Sequence, residues 1–298
     1  MFQHYFGEFA ALLTALFWTF TALAFEDATR KVGTYAVNIL RLMLGFIFLT
    51  ILNYFNRGLM FPTDASSEAW FWLSLSGLVG FVIGDLFLFA SYAIVSSRVA
   101  MLIMTLVPPM TAFLGWLILG ETMELKSIAG MLLVVIGIGI TIWSRQAKGD
   151  KLRLNYSFKG LLFAFIGAVG QSGGLILSKL GMKSYDAFAS TQIRIIFGIF
   201  GFIIVLTLMK KWGNMFNAFK NLPALRSIGI GSFFGPFLGV SFSLLAIQHT
   251  STGIASTLMA LVPILIIFPS VLFFKQKVSK REIIGAFVSV LGVFLFFI

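Results

Sequence analysis

The chain has 298 residues, of which 59% are hydrophobic and 11% charged, with a formal net charge of +11 and a mean hydropathy of +0.98. Soluble domains carry about 25% charged residues, so this composition excludes a soluble globular protein and points to an integral membrane protein. The lack of cysteine removes disulfides, thiolate chemistry and iron–sulfur ligation. The cations fall in short loops between apolar runs, where anionic headgroups and orientation rules select them, so nucleic acid is not an expected partner.

A membrane-spanning helix needs about 20 mostly apolar residues. Ten such stretches follow one another: 5–25, 34–54, 69–92, 97–119, 126–144, 157–178, 188–209, 225–248, 252–274 and 281–298. Helices are predicted throughout, because barrel strands alternate over about ten residues and these runs are twice as long. The first stretch has Ala22-Leu23-Ala24 near its end, but Met1–Gly7 holds no Lys or Arg, which argues against a cleaved signal peptide. The second stretch contains Arg41. Insertion scales put an arginine at the centre of a membrane helix at about 2.5–3.5 kcal/mol, so it needs a partner, a cavity or a task. The seventh stretch repeats the pattern, with Arg194 followed by Gly198 as Arg41 is by Gly45.

That echo belongs to a whole-chain repeat. An offset of 153 aligns Gly7 with Gly160, Arg41 with Arg194 and Gly45 with Gly198. An offset of 155 then aligns Gly80 with Gly235, Gly84 with Gly239, Pro108 with Pro263, Gly130 with Gly285 and Gly137 with Gly292. Residues 1–145 form the first repeat, 146–156 a basic linker and 157–298 the second. Five spans per half is an odd number, so the second half enters the membrane the other way up. The expected fold is all-α: ten transmembrane helices in two inverted five-helix repeats, the layout of many secondary transporters, with a midplane site between halves. Sixteen Lys and Arg lie on one side of this topology and four on the other. The positive-inside rule then places both termini outside the cytoplasm.

Several segments resemble the drug/metabolite transporter superfamily, specifically its EamA-type members. Ala11–Phe25 around Trp18 is similar to the family's first helix, and Ser96-Ser97-Arg98-Val99-Ala100, Leu106-Val107-Pro108 and Gly120-Glu121 resemble its fourth. Gly130 and Gly137 resemble the fifth helix. Ser251, Thr252, Ala255 and Pro263 repeat the fourth-helix pattern, with Lys275-Gln276 where Gly-Glu would stand. The resemblance covers nearly the whole chain. It implies a multi-pass transporter of a bacterial-type inner or plasma membrane, with a cavity lined by helices 1, 3, 4, 6, 8 and 9. Relatives move amino acids, metabolites, sugars or drugs, and many are thought to keep both termini in the cytoplasm, against the loop charges here.

Depth follows from span centres at about 1.5 Å per residue. Arg41 lies about 5 Å from the middle of its helix and Asp85 about 6 Å from the middle of its own, on the same side. They are expected to pair, either as a proton-sensitive coupling element or as a static brace between two helices. Arg194 falls about 7 Å off-centre on the opposite side, and Val240 stands where the counterpart of Asp85 would be. Arg194 is a candidate for a substrate anion, or else caps backbone carbonyls or snorkels. Gln171 takes the repeat position of Trp18, and both are cavity candidates, as are Tyr92 and Gln248 near span ends, where interfacial anchoring also accounts for them. Pro108 and Pro263 are expected to kink their helices and serve as gate pivots or static bends. Thr14, Thr19 and Thr21 read as hydroxyls bonded back to their own helix, and Glu8 and Glu121 as solvated interfacial carboxylates.

No P-loop, H-E-x-x-H or dinucleotide fingerprint occurs, and the two histidines, His4 and His249, lie near span ends. No enzyme, metal or cofactor is therefore expected. The reading is a gradient-driven transporter of small metabolites such as amino acids or related organic solutes, working by alternating access, with protons as a possible coupling ion. The alternatives are a flippase for lipids or lipid-linked intermediates and a non-transporting membrane scaffold or sensor.

Overall fold

The computed structural model describes residues 5–146, 157–265 and 280–296, and every regular element among them is helical. Six helices are long and apolar enough to cross a membrane: α1 (Phe6–Val32), α2 (Thr34–Arg57), α3 (Ser67–Val95), α6 (Phe158–Met182), α7 (Ala187–Leu208) and α8 (Leu222–His249). Shorter apolar helices occupy the other four places: α4 (Val107–Leu119), α5 (Leu125–Gln146), α9 (Thr252–Leu265) and α10 (Lys280–Phe294). The proposed linker at 146–156, apart from Gln146, and the end of the ninth predicted span lie outside the described residues.

Helix ends follow local chemistry. Gly33 ends α1 and Gly58 ends α2, both with positive φ that a side chain would resist. Ser66 and Asp186 cap α3 and α7 by accepting from the backbone N–H of Ala69 and Ala189. Thr14, Thr19 and Thr21 donate to the carbonyls of Ala10, Ala15 and Phe17 at 2.8–2.9 Å, which satisfies each hydroxyl within α1. Large apolar side chains such as Phe55, Phe71, Phe200 and Leu208 point outward, as a lipid-facing surface requires.

The inversion is visible in which residues touch. α5 and α10 cross where a methyl built on Gly130 would meet the Gly292 carbonyl at 2.8 Å and one on Gly137 the Gly285 carbonyl at 2.5 Å. Under the 155-residue offset these two contacts exchange places. In the α2–α7 crossing, Gly198 abuts Leu42 and Gly45 abuts Ile195, a pair that exchanges in the same way under the 153-residue offset. Both helix pairs are antiparallel and each maps onto itself, so the relating two-fold axis runs between them, in the plane of the membrane.

The remaining repeat-related interfaces differ in how they are filled. α3 and α6 put glycine against glycine: a methyl on Gly170 would sit 2.5 Å from the Gly84 Cα, and one on Gly174 3.0 Å from the Gly80 Cα. Farther along, the Ser76 and Ser178 hydroxyls share a 2.7 Å hydrogen bond. In the counterpart, α8 keeps its glycines but α1 carries bulk. Gly231 takes Phe25, Gly235 takes Thr21 and Gly239 takes Trp18. Backbone-to-backbone approach explains the first stripe, and side-chain sockets explain the second.

Candidate functional site

A cavity of about 140 Å³ lies between the two repeats, and both line it in nearly equal share. One water needs only about 10–15 Å³ on this measure, so the space suits a small solute. Trp18, Phe25, Phe81, Phe89 and Met259 form apolar walls, and polar groups enter from Arg41, Asp85, Gln171, Arg194, Ser243 and Ser256. The resemblance implied walls from helices 1, 3, 4, 6, 8 and 9. Here α2 and α7 also take part, each through its arginine.

Two irregularities of the backbone shape this space. α3 widens into a π-helical segment over Leu78–Asp85, and α8 does so at the repeat-related Phe233–Gly239. Such wide turns recur at functional sites because they rotate the following residues onto a new face. Phe81 and Pro236, equivalent under the repeat, both reach the cavity from these segments. The second irregularity corrects an expectation. Pro108 and Pro263 are not mid-helix kinks: the helices break before them, at Thr105–Leu106 and Ala260–Leu261, and each proline sits in the first turn of the segment that follows. The first turn has no helical acceptor for its N–H groups, so proline fits there without losing a bond. Pro263 lines the cavity, whereas on α4 it is Val107, next to Pro108, that does.

Arg41 is buried. Its Nη2 donates to Asp85 Oδ2 at 2.6 Å and its Nε to Asn38 Oδ1 at 3.1 Å. Three rings surround the guanidinium, with centroids at 5.7 Å (Phe25), 5.6 Å (Phe81) and 5.0 Å (Phe89). Asn38 is one helical turn before Arg41 and is itself anchored to the Thr34 carbonyl at 3.1 Å. The carboxylate and amide together hold the charge, and the ring faces add cation–π attraction.

Axial depth puts the backbone of Arg194 in a different layer from Arg41, but its side chain reaches the same group. Its guanidinium stands 4.8 Å from the centroid of the same Phe81 ring. A long side chain reaches several ångströms along the helix axis, and Gly80 and Gly174 leave room beside its Nη2. Val240 occupies the place of a second carboxylate. Among the described residues no salt bridge reaches Arg194, and its buried Nε has no hydrogen-bond partner. Arg41 and Asp85 neutralise one another, so among the described residues the cavity lining keeps one positive charge with no paired carboxylate.

Comparison with known proteins matches this architecture. The chain matches the EamA-like transporter family over residues 5–143 and again over 158–298. The chain belongs to the EamA-like transporter family. An uncharacterized transporter of Archaeoglobus fulgidus is 30% identical over 107 residues, 36% of this chain and 35% of its own length. One of Methanothermobacter thermautotrophicus is 24% identical over 276 residues, 89% of this chain and 77% of its own. A solved crystal structure superposes with a TM-score of 0.71 at 20% identity, over 97% of this chain and 95% of its own. That likeness concerns the fold alone.

One end of this EamA bundle, the end where α1 begins, is tied by a polar network that sequence reasoning missed. Gly120, at φ +66, ends α4 and turns Glu121 back toward α9. Glu121 Oε2 accepts from the backbone N–H of Thr252 at 2.8 Å and from its hydroxyl at 2.6 Å, so it caps α9 from the other repeat. Its Oε1 lies 2.6 Å from Lys179 Nζ, which also donates to the Thr250 carbonyl at 2.8 Å. The Thr250 hydroxyl donates to Glu8 Oε1 at 2.7 Å. Glu8 is 8% exposed. Neither carboxylate is the solvated interfacial group that position near a helix end suggested. A terminal position gives no account of what the other repeat brings over it.

Two further expectations separate. Tyr92 lines the cavity and stacks on Phe89 at 5.7 Å rather than anchoring at the interface. Gln248 is remote from the cavity and donates to the carbonyls of Lys183 at 2.9 Å and Tyr185 at 3.1 Å, holding the α6–α7 turn. In the same cluster the Tyr185 hydroxyl donates to Asp64 at 2.8 Å. Burial and that carboxylate push the tyrosine up to about 12. Asp64, despite burial that opposes it, is held below its ordinary value by Tyr185 and Arg57.

Proposed function

We propose that this protein is a secondary transporter that carries a small organic solute through the inter-repeat cavity by alternating access. One observation carries the reading: the cavity lies at the pseudo-two-fold interface, and the end of the bundle where α1 begins is closed by the Glu121–Lys179–Thr252 network. The cavity lining extends the other way, along α1 to Phe25 and along α3 to Tyr92. A site at a symmetry axis, with one end of the bundle tied, is what an inverted-repeat carrier needs, because exchanging the conformations of the halves opens the opposite end. The role is that of a carrier rather than an enzyme, since the paired groups in the cavity neutralise one another instead of facing a reacting centre.

Purified protein in liposomes, challenged with amino acids, organic acids, sugars and cationic dyes with and without a pH gradient, tests this reading. Saturable flux of at least one class is expected; no flux for any class would leave a scaffold or sensor as the better account. Transbilayer movement of labelled lipid in place of solute flux would favour a flippase.

The closed end gives a sharper prediction. Glu121→Gln removes the charge from both the lysine contact and the α9 cap, and a hydrogen bond to a charged group is worth about 1.5–3 kcal/mol. The open population at that end should rise about tenfold or more. The chain has no native cysteine, so the labelling rate of Ser243→Cys by an impermeant maleimide reads this directly. Equal labelling in both backgrounds would remove the network from the gate.

A further inference from the structure

We propose that Arg194 is the anchor for the carboxylate of a small organic monoanion whose apolar body packs in the same cavity. This rests on the transport reading above and adds the substrate class. Arg194 is 5% exposed and its Nε has no partner, yet its side chain lines the cavity. A buried guanidinium with an N–H that has no acceptor is hard to sustain in a membrane interior. The other arginine shows what satisfaction looks like here: Arg41 has Asp85 and Asn38. Arg194 has the Phe81 face and the notch between Gly80 and Gly174, and no salt bridge within reach among the described residues. An anion with acceptor oxygens would satisfy it, because a guanidinium binds such a group through two parallel hydrogen bonds.

Charge selects among anions. Arg41, Asp85 and Arg194 are the charged side chains lining the cavity among the described residues, and they sum to +1. A monocarboxylate brings the site to neutrality, whereas a phosphate dianion leaves a buried negative charge and a cation adds to the excess. Gln171 lines the cavity too, and its amide can donate to the same carboxylate. The rest of the wall selects the body. Phe81, Leu175, Val240 and Met259 offer an apolar surface. The Ser243 and Ser256 hydroxyls already donate to the Val240 and Gly253 carbonyls of their own helices, so a sugar acid or a polyol would find few donors for its hydroxyls.

The test uses the full-length protein in detergent with three carboxylates, butyrate, hexanoate and 3-phenylpropionate. Each is compared with its amide, and phenyl phosphate and 3-phenylpropylamine serve as charge controls. At least one carboxylate is expected to raise the melting temperature and to bind by calorimetry about tenfold or more tightly than its amide. In Arg194→Gln that preference should vanish, while the ligand-free protein melts no lower than wild type, because an unpaired buried charge has been removed. A purely structural arginine predicts the reverse: ligand binding unchanged and a lower melting temperature without ligand. The proposal is overturned if no carboxylate binds, if an amide, the amine or the phosphate binds as well as the acid, or if Arg194→Gln keeps the preference. An amine or neutral solute that binds and is carried into liposomes would sink the carboxylate anchor and leave the transport reading standing. Absence of flux for every solute would remove the transport reading itself.

Discussion

Asp85→Ala should lower the stability of the folded protein by about 3–5 kcal/mol, the range seen when one partner of a buried ion pair is removed. The side chains of Arg41 and Asp85 are 4% and 14% exposed, so water cannot replace the lost carboxylate from every side. Phe25, Phe81 and Phe89 close around the guanidinium, and among the described residues the Asn38 bond is the one hydrogen bond that remains to it. The measurement is thermal or denaturant unfolding in detergent, with Arg41→Met/Asp85→Leu as the decisive companion. Removing both charges restores electroneutrality, and replacing a buried pair by apolar groups is often neutral or stabilising. The double variant should therefore recover most of the stability yet fail to transport. If the single variant is as stable as wild type, the pair is not the brace between α2 and α3 that its geometry describes. Asp85→Asn keeps the shape and an acceptor but cannot exchange a proton. If the pair couples transport to protons, flux in this variant should stop responding to an imposed pH gradient. Wild-type flux across pH in both Asp85→Asn and Arg41→Gln would limit the pair to a structural role.

Gly170→Leu should prevent the two repeats from packing and leave little monodisperse protein. Overpacking a well-filled core costs about 1–3 kcal/mol when side chains can shift. Here the obstacle is backbone, because the first carbon of the new side chain would already sit 2.5 Å from the Gly84 Cα and 3.0 Å from the Val79 carbonyl. Gly77→Ala tests the same packing nearer the site, since the added methyl collides with the carbonyl of Arg194. It should displace α7 and weaken ligand binding along with stability. Gly139 and Gly229 have no heavy atom within 4 Å of an added Cβ, so alanine there should be neutral or stabilise by up to about 1 kcal/mol through helix propensity. Size-exclusion profiles and melting temperatures of the four variants separate the two classes. A well-behaved Gly170→Leu protein would show that the α3–α6 contact is looser than the glycine stripe demands.

Both variants depend on features legible at different levels. The glycines at 80 and 84 and their echoes at 235 and 239 are visible as spacing, and spacing suffices to mark a close approach. It does not say what approaches. On α3 the visitor is the backbone of α6, and on α8 it is Phe25, Thr21 and Trp18 of α1. The prolines teach the same lesson. Pro108 and Pro263 stand out in apolar runs, but whether a helix bends over a proline or breaks before it depends on neighbouring turns, here Thr105–Leu106 and Ala260–Leu261.

For the site, axial depth placed Arg41 and Asp85 in one layer, and there they meet at 2.6 Å. The same arithmetic put Arg194 in a different layer, and it shares the Phe81 ring instead. Depth locates a Cα; it carries nothing about which way a side chain of that reach is turned. Glu121 was harder still, because its partners Thr252 and Lys179 come from the second repeat.

What the amino-acid sequence determined by itself is the solvent the chain lives in, the helical class, the ten apolar stretches and the internal inversion. Each follows from composition or from periodicities of local geometry, since a helix crossing lipid must satisfy its own backbone and five crossings reverse the direction of entry. What only the tertiary structure decided is which charges are satisfied. Arg41 and Arg194 are equivalent in the repeat, yet packing gives one a carboxylate and leaves the other facing an open cavity. That difference arises from residues more than forty positions away, brought alongside by helix rotation and glycine-set distance, and no spacing along the chain encodes it.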